Sequence, residues 1–472
     1  MSITYKKDRR INYLSILLFI LLVNACTGQQ QRPPNVIVLI ADDAGYADFG
    51  FMGSQDMQTP NLDQLAGTGV VFTDAHTSAS VCSPSRAGLL TGRYQQRFGH
   101  QHNSPPEGMG MDINEVTLGQ ALKEKGYKTA LVGKWHVGDE GYNHPNERGF
   151  DEFYGFIGGH RSYFPDDPTK PRGNKSMQRN GKYVDFEGYL TDDLGEKAIS
   201  FIDQNKDQPF FIYLSYSAVH TPMQATEEDL ARFEGHPRQK LAAMTWAMDR
   251  SIGNVLKKLE EEGLRENTLV FFMSDNGGPT RSNTASNYPL KSTKGLEFEG
   301  GHRVPFIFSW TGVFNGGSTF EGLTSTLDIF KTVTNAANIQ WKENRLDGVD
   351  LLPYMTGEKQ GDPHEMLYWQ FHPWAAVRSG DHKVVLAGDV GSALYDLEED
   401  ISEMNDLKEE NPADYEALIQ ALENWKEEIP PPKWYGEGRW EEVKAHMYGE
   451  LLENREPKVF NPGQLDRLKA GE

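Results

Sequence analysis

The chain has 472 residues, 38% hydrophobic and 24% charged, with no low-complexity tract or repeat, so it can bury a large core and divide into two or three domains. A formal net charge of -21 argues against a nucleic-acid binder, whose phosphate contacts need a basic surface, but allows an anionic substrate if Lys, Arg and His gather in one pocket. With only Cys26 and Cys82 present, stability is expected from the core and a bound metal rather than a disulfide framework.

At the N-terminus, Lys6, Lys7, Arg9 and Arg10 precede an apolar run from Ile11 to Val23, too short to span a bilayer comfortably. The run ends at Val23-Asn24-Ala25-Cys26, which resembles a bacterial lipoprotein cleavage site. Residues 1–25 therefore read as a leader, Cys26 as the lipidated residue and 26–34 as a tether. The expected setting is the periplasm, the outer membrane or the cell surface, with the membrane as a partner. Plain cleavage near Ala25 is the alternative.

Val36 to Ile40 is a continuous apolar run, the pattern of a strand buried on both faces. Thr129 to Val132, Phe210 to Leu214, Leu269 to Met273 and Val304 to Phe308 repeat it. Helical patterns lie between, over Val116 to Lys125 and over Gln239 to Glu262, where Leu241, Met244, Met248, Ile252, Val255 and Leu259 share a face. The expected fold is α/β, a large and mostly parallel sheet sandwiched by helices over residues 35–360. In such sheets sites form beyond the C-terminal ends of strands. Four runs lead there to Asp42-Asp43, to Lys134-Trp135-His136, to His220 and to Asp275-Asn276.

The character changes near Leu352 to Pro363. Short strands over Met366 to Phe371, Ala375 to Val377, His382 to Leu386 and Ala393 to Leu397, with a helix over Pro412 to Glu428, predict a small α+β domain with an antiparallel sheet at 361–430. Residues 431–472, Trp/Tyr-bearing and highly charged, read as a partly helical extension on the surface.

Asp42, Asp43, Asp275 and Asn276 offer only oxygen, the set a hard divalent cation wants; Ca2+ fits best, with Mg2+ second. Asp275-Asn276-Gly277-Gly278 taken alone is equally a turn. Cys82 stands before an expected helix N-terminus with Arg86 one turn on, where free N–H groups and the dipole favour an anion. A bare cysteine there suggests a thiolate nucleophile. Lys134 and His136 are two apart in an extended stretch and so share a face; His136 is of a type that titrates near neutrality. His220 precedes Thr221-Pro222, and Lys294 precedes Glu299-Gly300-Gly301-His302-Arg303-Val304-Pro305.

Asp-Asp, Cys82-Ser83-Pro84-Ser85-Arg86, Gly-Lys-Trp-His, His-x-Pro, Ser-Asp-Asn-Gly and Lys before Glu-Gly-Gly-x-Arg-Val-Pro follow one another in an order that resembles the type I, formylglycine-dependent sulfatases of the alkaline phosphatase superfamily. The resemblance runs from about Asn35 to about Leu407. It departs at Lys291 and Ser292-Thr293, where an Arg-Gly-Gly-like stretch is frequent, which leaves the local loop shape open.

The resemblance implies a sulfuric ester hydrolase acting on a sulfated polysaccharide or oligosaccharide. Cys82 would be converted by a maturase to formylglycine, whose hydrate is the nucleophile and a metal ligand beside Asp42, Asp43, Asp275 and Asn276. Arg86 would position it, Lys134 and Lys294 would neutralise sulfuryl oxygens, His220 would protonate the leaving oxygen, and His136 would deprotonate the second hydroxyl. His160 and Arg161 are candidates for a uronate or second sulfate, and Tyr163, Phe371 and Trp374 for stacking on sugar or for packing. A phosphoester or phosphonate hydrolase, and an inactive glycan-binding relative, are the competing readings.

Overall fold

Every residue of the apolar segment Asn35–Ala41 is buried, which follows when both faces of a strand are covered by helices. In the computed structural model, which describes residues 1, 32–103, 105–138, 141–340, 346–436 and 438–471, this segment is β1 in a ten-stranded sheet. The other long members are β2 (Val70–Phe72), β3 (Lys128–Lys134), β4 (Glu152–Phe156), β5 (Phe210–Ser215), β6 (Thr268–Ser274), β7 (Phe306–Ser309) and β8 (Ser318–Phe320). Their order is β8-β2-β7-β6-β1-β5-β3-β4, extended by a hairpin of Gln178–Arg179 and Lys182–Tyr183. The leader, Cys26 and most of the tether lie outside the described residues.

The strands β6, β1, β5, β3 and β4 are parallel, with Leu39 beside Leu214 on one side and Phe272 on the other. Their C-terminal ends therefore share one edge, the edge to which the sequence leads Asp42, Lys134, His220 and Asp275. β7 is antiparallel to β6 and β2, a direction its apolar run could not reveal. Because β7 starts at the edge where β6 ends, the intervening connection returns to that edge and keeps Asp275, Asn276 and Lys294 near it.

Helices α1 (Cys82–Thr91), α2 (Leu190–Asn205), α3 (Gln239–Glu261) and α4 (Asp328–Ala336) cover the sheet. Val36, Val38 and Ile40 of β1 face the layer that holds α1 and α4, while Ile37, Leu39 and Ala41 face α2 and α3. Gly133 in β3 has φ +110°, and a Cβ there would collide with the Ser215 carbonyl, so only glycine lets β3 approach β5 just before Lys134.

The second sheet is antiparallel, in the order β9 (Met366–Phe371), β10 (Trp374–Ser379), β11 (His382–Leu386) and β12 (Ser392–Asp396). One face packs on α5 (Pro412–Glu427) through Leu418, Leu422 and Trp425. The other packs on α6 (Gly438–Leu452) and α7 (Pro462–Ala470) through Val443, Met447, Tyr448 and Leu465. The extension expected on the surface is thus part of this sheet's core. Both sheets belong to one compact unit, Pro34–Glu472.

A buried ionic network joins them. The carboxylates of Asp74, Glu299 and Glu403 meet the cations Arg303, Arg378 and Lys383, three against three. Lys383 Nζ lies 2.9 Å from both Glu299 and Glu403. Removing one member would strand a buried charge, at about 3–5 kcal/mol.

Candidate active site

β1 delivers Asp42 and Asp43 to the sheet edge. Asp43 takes φ +65°, a left-handed turn that Asp tolerates, and so breaks the strand at that point. The Asp42 backbone is fixed by N–H donation to Ala218 at 2.8 Å and by acceptance from Val219 at 2.7 Å. Asp275, which follows β6, donates its N–H to Ala41 at 3.0 Å, and its Oδ1 accepts from the Asp43 N–H at 3.2 Å. Asn276 Nδ2 donates to Asp43 Oδ1 at 2.8 Å, while its buried Oδ1 has no partner.

Cys82 is the first residue of α1 and is 1% exposed. Its Sγ lies 3.7 Å from Asp42 Oδ1, 3.8 Å from Asp43 Oδ1 and 2.9 Å from Lys294 Nζ. Val81 caps the helix without a side-chain bond, leaving the first-turn N–H groups for other partners; that of Ser83 goes to Asn103 Oδ1 at 2.9 Å. Arg86, one turn on and fully buried, sets Nε 2.8 Å and Nη2 2.7 Å from Asp275 Oδ2, and Nη1 2.5 Å from Ser215 Oγ.

Two ammonium groups close on the carboxylates. Lys134 Nζ donates to both Asp42 oxygens at 2.9 and 2.7 Å, and Lys294 Nζ donates to Asp43 Oδ1 at 2.5 Å. Asp42, Asp43 and Asp275 thus face Lys134, Lys294 and Arg86. Burial raises the Asp42 carboxyl against the pull of Lys134. Burial acts the same way on Asp43, but Lys294 and His220 hold it well below the usual carboxylate range. For Lys294, burial would lower the ammonium, and Asp43, Cys82, Asp42 and Asp275 together more than reverse it. Burial pushes the Cys82 thiol up to about 12 despite the two lysines, so the unmodified group is a protonated thiol at neutral pH.

His220 Nδ1 lies 2.7 Å from the Thr221 carbonyl, an acceptor, so that nitrogen carries a proton. Nε2 then faces the site, 3.4 Å from Asp43 Oδ2. His136 also takes a left-handed backbone, φ +63°. Its ring lies against Gly159, where a Cβ would come within 2.6 Å of Nε2, and its buried Nδ1 has no partner. Burial and the cations Lys134 and Arg86 pull it far below the ordinary imidazole range, which keeps the ring uncharged.

The oxygen donors at this edge, the carboxylates of Asp42, Asp43 and Asp275 with the Asn276 amide, fit a hard cation. Ligand atoms of Asp42, Asp43, Cys82 and His220 all lie within 4.8 Å of one another, and the free Oδ1 of Asn276 adds a neutral oxygen. His76, Glu299 and His302 form a second group of ligand type, which belongs to the buried ionic network, with Lys383 2.9 Å from Glu299 and 3.2 Å from His302 Nε2.

The edge therefore assembles Asp42, Asp43, Cys82, Arg86, Lys134, His136, His220, Asp275, Asn276 and Lys294. Lys291, where the sequence departs from pattern, turns away to the Glu403 carbonyl and Asn454, leaving Lys294 to reach Cys82. His160 is nearby, its ring 5.8 Å from that of His220 and its Nε2 2.7 Å from Lys175 Nζ.

Three candidates for substrate contact are buried instead, and for Tyr163 and Trp374 this is the packing alternative. Arg161 is 2% exposed, paired with Asp166 at 3.1 Å and set over Phe186. Trp374 is buried against Tyr448 and Phe371, where stacking on aromatic neighbours outweighs exposure to a sugar. Tyr163 is fully buried, its hydroxyl donating within the His220 loop to the carbonyls of Ser217 and His220. Asn283, which sequence reasoning missed, ties the Asp43 carbonyl to that of Val219 by Nδ2 donation at 2.9 and 3.2 Å. A lone Asn in a Ser/Thr-rich loop carries no sequence signal.

The family profile described as Sulfatase matches residues 34–339. N-acetylgalactosamine-6-sulfatase of Canis lupus familiaris is 35% identical over 379 residues, covering 75% of this chain and 71% of that protein. Arylsulfatase G of Mus musculus is 34% identical over 394 residues, covering 74% and 73%. Among solved structures, Ps i-CgsB in complex with k-i-k-neocarrahexaose superposes with a TM-score of 0.82 at 38% identity, over 88% of this chain and 97% of that chain.

Proposed function

We propose that this chain, which belongs to the sulfatase family and is a sulfuric ester hydrolase, removes sulfate from a sulfated polysaccharide or its oligosaccharides, with Cys82 matured to formylglycine. The observation that carries the reading is residue 82 itself. It begins a helix, touches Lys294, and lies 3.7 and 3.8 Å from the carboxylates of Asp42 and Asp43. As formylglycine, this residue supplies a hydrated aldehyde, one hydroxyl for attack and a second whose deprotonation expels sulfate. A divalent cation, Ca2+ by the all-oxygen donor set, would be held by Asp42, Asp43, Asp275 and Asn276 and would supply Lewis-acid polarisation.

The chain's own groups do the rest. Arg86 locks Asp275 beside residue 82, and Ser215 fixes the other arm of its guanidinium. Lys134 and Lys294 are placed to exchange their carboxylate partners for sulfuryl oxygens and so stabilise charge that grows as the S–O bond breaks. His220 presents Nε2 towards the site, and in its doubly protonated form it delivers the Nε2 proton to the leaving sugar oxygen while Nδ1–H stays on the Thr221 carbonyl. His136, whose ring is uncharged and whose buried Nδ1 has no other partner, is the group assigned to take the proton of the second hydroxyl.

Glycans are favoured as substrates because Ps i-CgsB is seen with k-i-k-neocarrahexaose and another relative is named for N-acetylgalactosamine-6-sulfate. The leader-like residues 1–25 and Cys26 support an exported, lipid-anchored protein, and Cys82-Ser83-Pro84-Ser85-Arg86 supports maturation by a formylglycine-generating enzyme. The test is hydrolysis of neocarrahexaose, N-acetylgalactosamine 6-sulfate and 4-methylumbelliferyl sulfate beside the matching phosphate ester. Release of sulfate from a sugar supports the reading, whereas a preference for the phosphate ester overturns it.

A further inference from the structure

A cavity of about 640 Å3 joins the site to the C-terminal extension. On one side it is lined by Lys294, the lysine that touches Cys82. On the other it is lined by Tyr435, Trp440 and Lys444 from the last forty residues. Among the described residues no Asp or Glu lines it, in a chain whose net charge is -21. Tyr435 and Trp440 are 56% and 44% exposed, two aromatic rings left open to solvent beside the catalytic edge. The Lys444 Nζ stands 3.3 Å from the Phe371 ring centre and 5.4 Å from that of Trp374, with no carboxylate at ion-pair distance among the described residues. Arg281, by contrast, is already paired with Glu456 at 2.5 Å.

Building on the sulfatase reading, we propose that this cavity is a second saccharide subsite. The sugar beside the one that loses sulfate packs on Tyr435 and Trp440, and Lys444 takes its anionic group, a second sulfate or a carboxylate. An ammonium above aromatic faces and free of a carboxylate partner keeps its attraction for an incoming anion. Burial, and then Lys294, pull Lys444 down to about 7 against Glu297 and Glu441, so a bound anion would also reinforce its charge. The role of the extension follows: it builds the wall that selects a chain bearing two negative groups over an isolated sulfate ester.

The experiment is competition against hydrolysis of 4-methylumbelliferyl sulfate by the matured full-length chain. The competitors are an ι-carrageenan tetrasaccharide, which carries only sulfates, and a chondroitin 6-sulfate tetrasaccharide, which carries carboxylates as well. We expect at least one to compete, and the more effective one identifies the anion. In Lys444→Gln its Ki, taken relative to the KM of the aryl ester, rises about tenfold or more, and Lys444→Arg restores most of the loss. Competition by neither compound, an unchanged ratio in Lys444→Gln, or equal losses for the competitor and the aryl ester would overturn the proposal. Failure of the wild-type protein to cleave the aryl ester at all would instead strike the sulfatase reading on which it rests.

Discussion

Replacing Arg86 by Met removes the counter-ion of a carboxylate that has almost no access to water. Asp275 is 2% exposed and receives Nε at 2.8 Å and Nη2 at 2.7 Å. Burial would raise its carboxyl, and the Arg86 guanidinium is the main reason it stays below its ordinary range. Stripping one partner from a buried pair costs about 3–5 kcal/mol. At an unfolding entropy of ~2.1 cal/mol/K per residue, a unit of this length loses on the order of 3–5 °C in Tm. The same loss, if expressed at the transition state, lowers kcat/KM by about 10²–10⁴. Differential scanning calorimetry and 4-methylumbelliferyl sulfate hydrolysis read the two effects. Arg86→Lys should fall between, since it keeps the charge but cannot reach Asp275 and Ser215 together. A Met variant that melts within a degree of wild type and keeps its activity within threefold would refute the reasoning.

Three other expectations follow from the same geometry. His220→Ala should lower turnover of a sugar sulfate by about 10²-fold or more while costing an aryl sulfate far less, because a good leaving group needs no proton; equal losses would deny His220 the role of acid. Chelation should abolish turnover and lower Tm, and Ca2+ at a hundredfold over its Kd should return about 2.7 kcal/mol of stability, read by calorimetry; a melting temperature indifferent to both would argue against an ion among Asp42, Asp43 and Asp275. Glu297 is fully buried, one oxygen bonded to Ser80 and the other without a partner, and burial raises it to about 7. Its folded value lies above the unfolded one, so the native state binds the extra proton, and stability falls as pH rises from about 4.5 to about 7. Glu297→Gln should therefore match wild type at pH 4 and exceed it by about 3 kcal/mol at pH 8, a gap that pH-dependent denaturation would reveal or exclude.

The grouping of the candidate site residues at one sheet edge was legible because its signals are local. Asp42-Asp43, Lys134 and Asp275-Asn276 each stand at the end of an apolar run, and parallel strands bring such ends together without further information. The direction of β7 was not legible, since an apolar run reads the same in either sense. Nor were the aromatics: Tyr163, Phe371 and Trp374 look alike in sequence, yet only Phe371 lines the cavity, because burial is decided by what packs from elsewhere. The extension was half legible. Val443, Met447, Tyr448 and Leu451 have the spacing of a buried helix face, but charges around them masked the face, and nothing local told that the second sheet lay opposite.

The central claim is that residue 82 works as formylglycine. It is tested most directly by the mass of the peptide spanning Cys82, from protein made in a bacterial host that matures sulfatases. Conversion of the thiol side chain to an aldehyde lowers that mass by about 18 Da, and the account predicts this loss in the fraction that hydrolyses sulfate esters. A fully active fraction whose Cys82 remains an intact, alkylatable thiol would contradict it.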